Sequence, residues 1–150
     1  MECPKWFLSD NMKIRLDHIG IAVNDLESSG KFWRLLGLLQ SEEDEVNLEQ
    51  GVNIRFFSAT ASGNPVRIEL LESLGEDTPV GRFLTKRGQG VQQIAFEVDD
   101  LDSLIVELLA NNVVFTQPEP SIGAGGSRVT FVHPKSTGGV LVELLEFRKE

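Results

Sequence analysis

The chain has 150 residues, of which 41% are hydrophobic, and this length and composition are ample for one compact domain with a packed core. Its formal net charge of −9, with no run of Lys or Arg to offset it, argues against nucleic acid as a partner. No segment approaches the roughly 20 apolar residues that a membrane span requires, so the sequence predicts no membrane insertion.

The first residues predict a loose leader over 1–13. They contain neither an apolar stretch nor a small-residue cleavage site of the kind found in secretory signals. Cys3 is the only cysteine, which excludes an intrachain disulfide and suits a reducing compartment. We therefore expect a cytoplasmic protein.

The remainder of the chain repeats itself with an offset of about 75 residues. Two segments of the first half recur in the second: 17–26 recurs as 92–101, and 66–72 recurs as 140–146. Each half begins with a β-branched, alternating stretch that is typical of a strand and continues into a helix and three further strands. The predicted strands cover 16–23, 38–46, 51–58 and 65–72 in the first half, and 91–98, 113–117, 127–132 and 139–146 in the second.

Each half predicts one amphipathic helix after its first strand. The first helix covers 26–36, with Phe32, Leu35 and Leu36 on one stripe and Gly37 as a left-handed cap. The second helix covers 101–110. Its apolar stripe consists of Leu101, Leu104, Ile105, Leu108 and Leu109.

These elements predict a single α+β domain over 14–147 that is made of two tandem βαβββ modules. Module one covers 14–74 and module two covers 89–147. Between them, Thr78 and Pro79 provide the cap and first residue of a linker helix over 78–88. We expect the two modules to form one open, cupped mixed β-sheet.

Strand alternation places one polar residue on an otherwise apolar face of each matched strand. These residues are His18, Glu69, Gln93 and Glu143. If the modules pack about a pseudo-twofold axis, the four side chains converge on a central metal site. Imidazole, amide oxygen and two carboxylates suit one divalent ion, and Co, Ni, Mn, Fe, Zn and Mg all remain open.

Each of these four residues also has a simpler explanation when it is considered alone. His18 fits a hydrogen-bonded strand histidine, Glu69 or Glu143 fits a salt bridge at a sheet edge, and glutamine is an infrequent metal ligand. A carboxylate on an apolar face is nevertheless costly to bury unless it is paired, protonated or bound to a cation. Because all four stand at matched positions, one shared cause is favoured.

The motifs of this chain resemble the vicinal oxygen chelate superfamily, which includes glyoxalase I, extradiol dioxygenases and bleomycin-binding proteins. Within it, the sequence is most similar to the methylmalonyl-CoA epimerases. The resemblance covers the predicted domain and is most specific in its last segment. The segments that carry it are 16–23, 49–52, 68–72, 122–126 and 133–144.

The resemblance implies that His18, Glu69 and Glu143 are metal ligands and that Glu49 is a general base across the substrate from Glu143. The epimerases carry two histidines where this chain has Gln92 and Gln93, the second of them the ligand. Glyoxalase I is similar in using one glutamine ligand, so we retain Gln93 as the fourth ligand. A homodimer is also implied, and the open sheets of such modules leave surface to cover.

The implied function is a metal-dependent epimerase that interconverts (R)- and (S)-methylmalonyl-CoA by two-base proton transfer through an enolate. In this scheme Glu49 and Glu143 act on opposite faces of the acyl-CoA substrate. Lys135 and Ser136 are candidates for holding an anionic substrate group. From composition alone, however, Glu49 follows an acidic stretch and fits a solvated loop.

Two other functions remain open from the sequence. The glutamine ligand also fits a glyoxalase I-like lactoylglutathione lyase. The absence of the two epimerase histidines, at Gln92 and Gln93, also fits a small-molecule binding protein of the same fold without catalysis. Fold alone does not choose among these functions.

Overall fold

The computed structural model describes residues 12–147, so most of the predicted leader, including Cys3, lies outside the described residues. No helix within the described part is long and apolar enough to span a membrane. The elements in chain order are β1 Ile14–Val23, α1 Leu26–Leu36, β2 Leu39–Gln40, β3 Glu45–Asn47, β4 Val52–Ser58, β5 Arg67–Ser73, α2 Pro79–Arg87, β6 Gly90–Val98, α3 Leu101–Ala110, β7 Ser121–Ile122, β8 Arg128–Val132 and β9 Val142–Glu146.

The strands form one mixed sheet in the order β2-β4-β5-β1-β6-β9-β8-β7, with β3 paired to β4. In the first half β1 pairs with β5 in parallel, and in the second half β6 pairs with β9 in parallel. The first strands of the two halves, β1 and β6, lie side by side and antiparallel at the centre. This arrangement confirms the predicted α+β fold with a large open mixed sheet.

Helices α1 and α2 pack on opposite faces of this sheet. Val23 of β1 packs in a core cluster with Leu26 of α1, whereas the adjacent Ala22 packs in a cluster with Val80 of α2. Because successive side chains of a strand point to opposite faces, α2 lies on the face that Ala22 shares with His18. The helix of the linker segment therefore borders the predicted site.

Helix α1 has the predicted bounds, but its buried side differs from the predicted stripe. Asp25 caps its first turn and Gly37 ends it with φ 109°. Phe32, Leu35 and Leu36 are 60%, 76% and 61% exposed. The helix instead meets the sheet through Leu26 and Gly30, because the absence of a side chain at Gly30 allows close approach to the Phe57 ring.

Helix α3 buries most of the predicted stripe. Leu101 and Leu104 belong to a core cluster with Val98, Val132 and Leu144. Ile105 and Leu108 pack against the same cluster, while Leu109 is exposed.

Two of the predicted strands are wrong in extent. The segment 38–46 contains the two short strands β2 and β3, separated by an acidic bend. The last strand, β9, begins at Val142 rather than at 139, because Gly138 and Gly139 adopt φ of 82° and 107°, which a strand does not use.

The predicted strand at 113–117 is also wrong. This segment forms only an isolated bridge between Phe115 and Val132. The Val114 amide donates to the Ser136 side chain, so this donor is not available to extend a ladder. The outer position of the sheet beside β8 is taken by the short β7 instead.

Candidate active site

The sheet register brings the four matched polar residues together. Gly20 of β1 lies between Glu69 of β5 and Gln93 of β6. In the symmetric position, Ala95 of β6 lies between His18 of β1 and Glu143 of β9. A Cβ atom at Gly20 would lie 2.6 Å from Gln93 Cγ, so the small residue at this position is required for the approach.

The four side chains are buried and in contact. His18 Nε2 lies 3.1 Å from Glu143 Oε2, and His18 Nδ1 lies 3.1 Å from Glu69 Oε2. The Gln93 amide donates to Glu143 Oε2 at 2.6 Å and lies 3.2 Å from His18 Nε2. The convergence expected from the repeat is therefore present, while the role of each residue as a ligand stays a prediction.

Asp17 is a further member of this cluster that the sequence analysis did not identify. Its carboxylate accepts from His18 Nδ1 at 2.7 Å and from Arg15 Nη2 at 2.6 Å, and it lies 3.2 Å from Arg67 Nη2. Strict strand alternation places Asp17 on the face opposite to His18. A register shift between Leu16 and His18 leaves Asp17 without a partner on β6, as in a β-bulge, and allows this contact.

The repeat has a second bulge at the matched position of β6. Gly20 pairs with Gln93 and Ile21 pairs with Val91, so Gln92 has no partner on β1. Each bulged residue immediately precedes a residue of the buried cluster. Bulges re-aim side chains beside functional sites, and here both halves use one at the same point.

The buried charges shift the pKa values of this cluster. Burial lowers the pKa of His18, but the hydrogen bonds to Asp17 and Glu143 and the charge of Glu69 outweigh it and raise the pKa to about 10. Burial raises the pKa of Glu69 to about 7, against the attraction of His18 and Arg67. Burial raises the pKa of Asp17, but the hydrogen bond from His18 and the charge of Arg67 outweigh it and hold the pKa below its usual value.

We expect the metal-free protein to lose stability as the pH rises from 6.5 toward 10. The pKa of His18 is raised on folding, so its contribution is complete below pH 6.5 and is lost as the pH passes through about 10. Glu69 acts in the same direction between pH 4.5 and about 7. Denaturant unfolding in the presence of a chelator measures this slope. A His18→Asn variant should show a flatter slope, and a wild-type stability that rises over this range would contradict the assignment.

The donor atoms of His18, Glu143 and Gln93 fit a single divalent ion at Nε2 of His18, whereas Glu69 lies nearest to Nδ1 of the same ring. Two ligand atoms about 2.1 Å from an ion and at right angles are about 3.0 Å apart, close to the observed separation of His18 Nε2 and Glu143 Oε2. The buried Glu69 Oε2 makes no hydrogen bond within the described residues, although Arg67 Nη2 and His18 Nδ1 each lie 3.1 Å from it. A half-turn of the Gln93 amide would place its oxygen where its nitrogen now lies, facing the same point.

A second grouping of possible ligands contains Asp17, His18 and Glu69. Asp17 is the less suitable ligand, because both of its oxygens are already contacted, Oδ1 by Arg15 and Oδ2 by His18 and Arg67. Its contact with Nδ1 instead orients the His18 ring and leaves Nε2 directed at Glu143 and Gln93. Carboxylates commonly orient metal-binding histidines in this way.

Glu49 lies on the turn between β3 and β4, at the wall of a cavity of about 430 Å³ that also reaches Gln93. Its carboxylate accepts from the Ile122 amide at 3.3 Å. Asn47 supports the turn by accepting from the Gln50 amide at 2.9 Å. Glu49 is exposed, as composition suggested, but it faces the cavity beside the buried cluster.

Lys135 and Ser136 do not line this cavity. They belong to a 3-10 turn at Pro134–Ser136, and the Ser136 hydroxyl accepts from the Val114 amide at 2.9 Å. The structure thus gives Ser136 a role in shaping the loop. That either residue contacts substrate stays a prediction.

Comparison with known proteins identifies the family. The model for the Glyoxalase/Bleomycin resistance protein/Dioxygenase superfamily matches residues 17–131. The chain belongs to this superfamily. The resemblance expected from the sequence motifs is confirmed.

The similar proteins of this superfamily include methylmalonyl-CoA epimerases. The human mitochondrial methylmalonyl-CoA epimerase is 40% identical over 132 residues, which cover 87% of this chain and 72% of the human protein. The crystal structure of the Mycobacterium tuberculosis epimerase is 36% identical, with a TM-score of 0.81 and coverage of 89% of this chain and 88% of that chain.

A Streptomyces coelicolor methylmalonyl-CoA epimerase variant in complex with 2-nitronate-propionyl-CoA is also similar. It is 40% identical, with a TM-score of 0.81, and the match covers 90% of this chain and 98% of that chain. These similarities confirm the predicted enzyme class, an isomerase of the methylmalonyl-CoA epimerase type.

Proposed function

We propose that this protein is a metal-dependent epimerase that interconverts (R)- and (S)-methylmalonyl-CoA. The observation that carries the proposal is the buried His18, Glu69, Gln93 and Glu143 cluster beside a cavity whose wall bears Glu49. The similarity to epimerases supports the same substrate class. In the Streptomyces coelicolor complex the bound ligand is a nitronate, which like an enolate is planar at its carbon and carries its negative charge mainly on oxygen.

The chemical difficulty of this reaction is the removal of a proton from a carbon between a thioester and a carboxylate. A divalent ion held by His18, Glu69, Gln93 and Glu143 would supply Lewis-acid stabilisation of the negative charge that develops on the oxygens. The remaining task of the protein is to hold a base on each face of that carbon.

Glu49 and Glu143 are the two bases in our proposal. One carboxylate removes the C2 proton, and the other, once protonated, delivers a proton to the opposite face and inverts the centre. Glu143 is buried against Gln93, whereas Glu49 stands on the turn at the cavity wall. The Ile122 amide holds the Glu49 carboxylate from the second half of the chain.

The proposal is tested by supplying a single epimer of methylmalonyl-CoA with each divalent ion in turn and following the appearance of the other epimer. Two alternatives give different outcomes. Conversion of a glutathione hemithioacetal without epimerisation would support the lyase, and substrate binding without turnover would support the binding protein. Absence of epimerisation with every ion would overturn the proposed reaction.

We also infer that the protein forms a homodimer. This inference rests on four exposed apolar side chains on α1 and β2, namely Phe32, Leu35, Leu36 and Leu39. Such a patch on a protein surface commonly marks an interface. Light scattering is expected to give twice the chain mass of 16.6 kDa, and a Leu35→Asp variant is expected to shift toward the monomer. A monomer mass for the wild type at high concentration would contradict this inference.

A further inference from the structure

The two ends of the sheet meet beside the cavity of the candidate active site. The strand order ends with β7 on one side, whereas β3 pairs with β4 near the other end. Side chains of the segment 45–49 nevertheless bond to the backbone of the segment 122–125. We call these hydrogen bonds the β3–β7 contact. It joins the two halves of the chain at the point where Glu49 lines the cavity.

Alternate side chains of the first half form the β3–β7 contact. Glu45 Oε1 accepts from the Gly125 amide at 3.0 Å. Asn47 Nδ2 donates to the Ile122 carbonyl oxygen at 3.5 Å, and Glu49 Oε2 accepts from the Ile122 amide at 3.3 Å. Both polar backbone groups of Ile122 therefore bond to the segment that carries the proposed base.

The turn that follows Ile122 is itself anchored. Ala124 packs against the core cluster that contains Leu71 and Val80. The hydroxyl of the buried Ser127 donates to the Ala124 carbonyl oxygen at 2.9 Å. The backbone at Ile122 is thus a fixed partner for the first half of the chain.

Asn47 joins the β3–β7 contact to the turn that carries Glu49. It is only 9% exposed, and its Oδ1 accepts from the Gln50 amide at 2.9 Å while its Nδ2 donates to Ile122. Only one orientation of the amide satisfies both bonds, so the side chain is fixed. Asn47 does not line the cavity, so any effect on the reaction acts through Glu49.

We propose that Asn47 is a positioning residue that holds Glu49 against one face of the reacting carbon. This inference rests on the proposed function, because Asn47 acts only through the base of the two-base reaction. Glu49 is exposed and stands on a turn, so little packing holds it. A base must lie within hydrogen-bond reach of its proton, and a displacement of about 1 Å can lower a rate about 10²-fold. The contact through Asn47 limits this displacement.

The Asn47→Ala variant is expected to lower kcat for epimerisation about 10- to 100-fold. Its KM and metal content should be unchanged, because Asn47 neither lines the cavity nor belongs to the buried cluster. The matched control is Asn64→Ala, the same change at an exposed residue away from the cavity, which should keep the wild-type rate. Glu45→Ala removes the bond to Gly125 without changing the turn, so it should also slow the reaction and provides the test if Asn47→Ala does not fold.

Isotope effects separate displacement of one base from a general loss of active protein. Each epimer, deuterated at C2, is converted by the wild type and by Asn47→Ala. If only Glu49 is displaced, proton transfer at Glu49 limits the rate in both directions. The primary isotope effect should then rise for the epimer that Glu49 deprotonates and approach unity for the epimer that Glu143 deprotonates. Wild-type isotope effects in a slower variant would contradict the proposal.

The Asn47→Ser variant distinguishes the β3–β7 contact from support of the turn. A serine hydroxyl can accept from the Gln50 amide as at a helix N-cap, but it is too short to reach Ile122. The slow rate and the divergent isotope effects should persist. In the metal-free variant, the Ile122 amide should exchange with solvent faster than in the wild type. Wild-type values for Asn47→Ser would overturn the role of the contact.

The outcomes distinguish this inference from the proposed function. A wild type that does not epimerise methylmalonyl-CoA overturns the reaction and, with it, the role of Asn47. A wild type that epimerises the ester while Asn47→Ala reacts at the same rate leaves the reaction standing and overturns the positioning role alone.

Discussion

The Glu49→Gln variant is expected to epimerise methylmalonyl-CoA about 10² to 10⁴ times more slowly than the wild type, because removal of a positioned general base typically has this effect. Its metal content should be unchanged, since Glu49 is not part of the buried cluster. The amide of the variant can still accept from the Ile122 amide, so the turn should keep its position. Steady-state rates and metal analysis of the purified variant measure both expectations.

The controls for this prediction are two other carboxylates. Glu43→Gln changes an exposed residue of the acidic bend that does not line the cavity and should leave the rate unchanged. Glu143→Gln should lower both the rate and the metal content, because Glu143 belongs to the cluster and is also the second base. Wild-type turnover in the Glu49 variant would exclude the two-base scheme.

The Gln93→His variant is expected to bind Co²⁺ or Zn²⁺ at least about tenfold more tightly than the wild type, which corresponds to about 1.4 kcal/mol. An amide oxygen is a harder and weaker donor than imidazole for these borderline ions. The wild-type site should therefore favour Mn²⁺ or Mg²⁺ relatively more. Gln93 already lies 3.2 Å from His18 Nε2 and 2.6 Å from Glu143 Oε2, so its side chain is directed at the point where the ion would bind.

Competitive chelator titration of both proteins measures this change. Gln92→His is the matched control, because it introduces the same ring at the adjacent bulged position, where the described structure shows no contact with His18. Its affinity should remain near that of the wild type. Equal affinities for the wild type and Gln93→His would mean that Gln93 is not a ligand, and the binding-protein alternative would then be favoured.

The sequence predicted the convergence of the site because the repeat constrains four positions at once. Matching His18 to Gln93 and Glu69 to Glu143 identifies the equivalent strands of the two halves, β1 with β6 and β5 with β9, and each half pairs its two strands in parallel. Once β1 and β6 lie adjacent, the register brings these side chains to one point. No single residue in the set carries this information alone.

What the sequence did not reveal depends on register and on the orientation of whole elements. Strand alternation could not place Asp17 beside His18, because that contact requires the bulge after Leu16. The apolar stripe of α1 does not show which side meets the sheet, and Gly30 decides this by permitting close approach.

The central claim, proton transfer at C2 between two carboxylates, is tested most directly by incubating one epimer of methylmalonyl-CoA in heavy water with metal supplied and following C2 by NMR. The account predicts that the epimer formed carries deuterium at C2 from the first turnovers, while the remaining starting epimer keeps its proton. The absence of deuterium from C2 of both epimers would contradict the account.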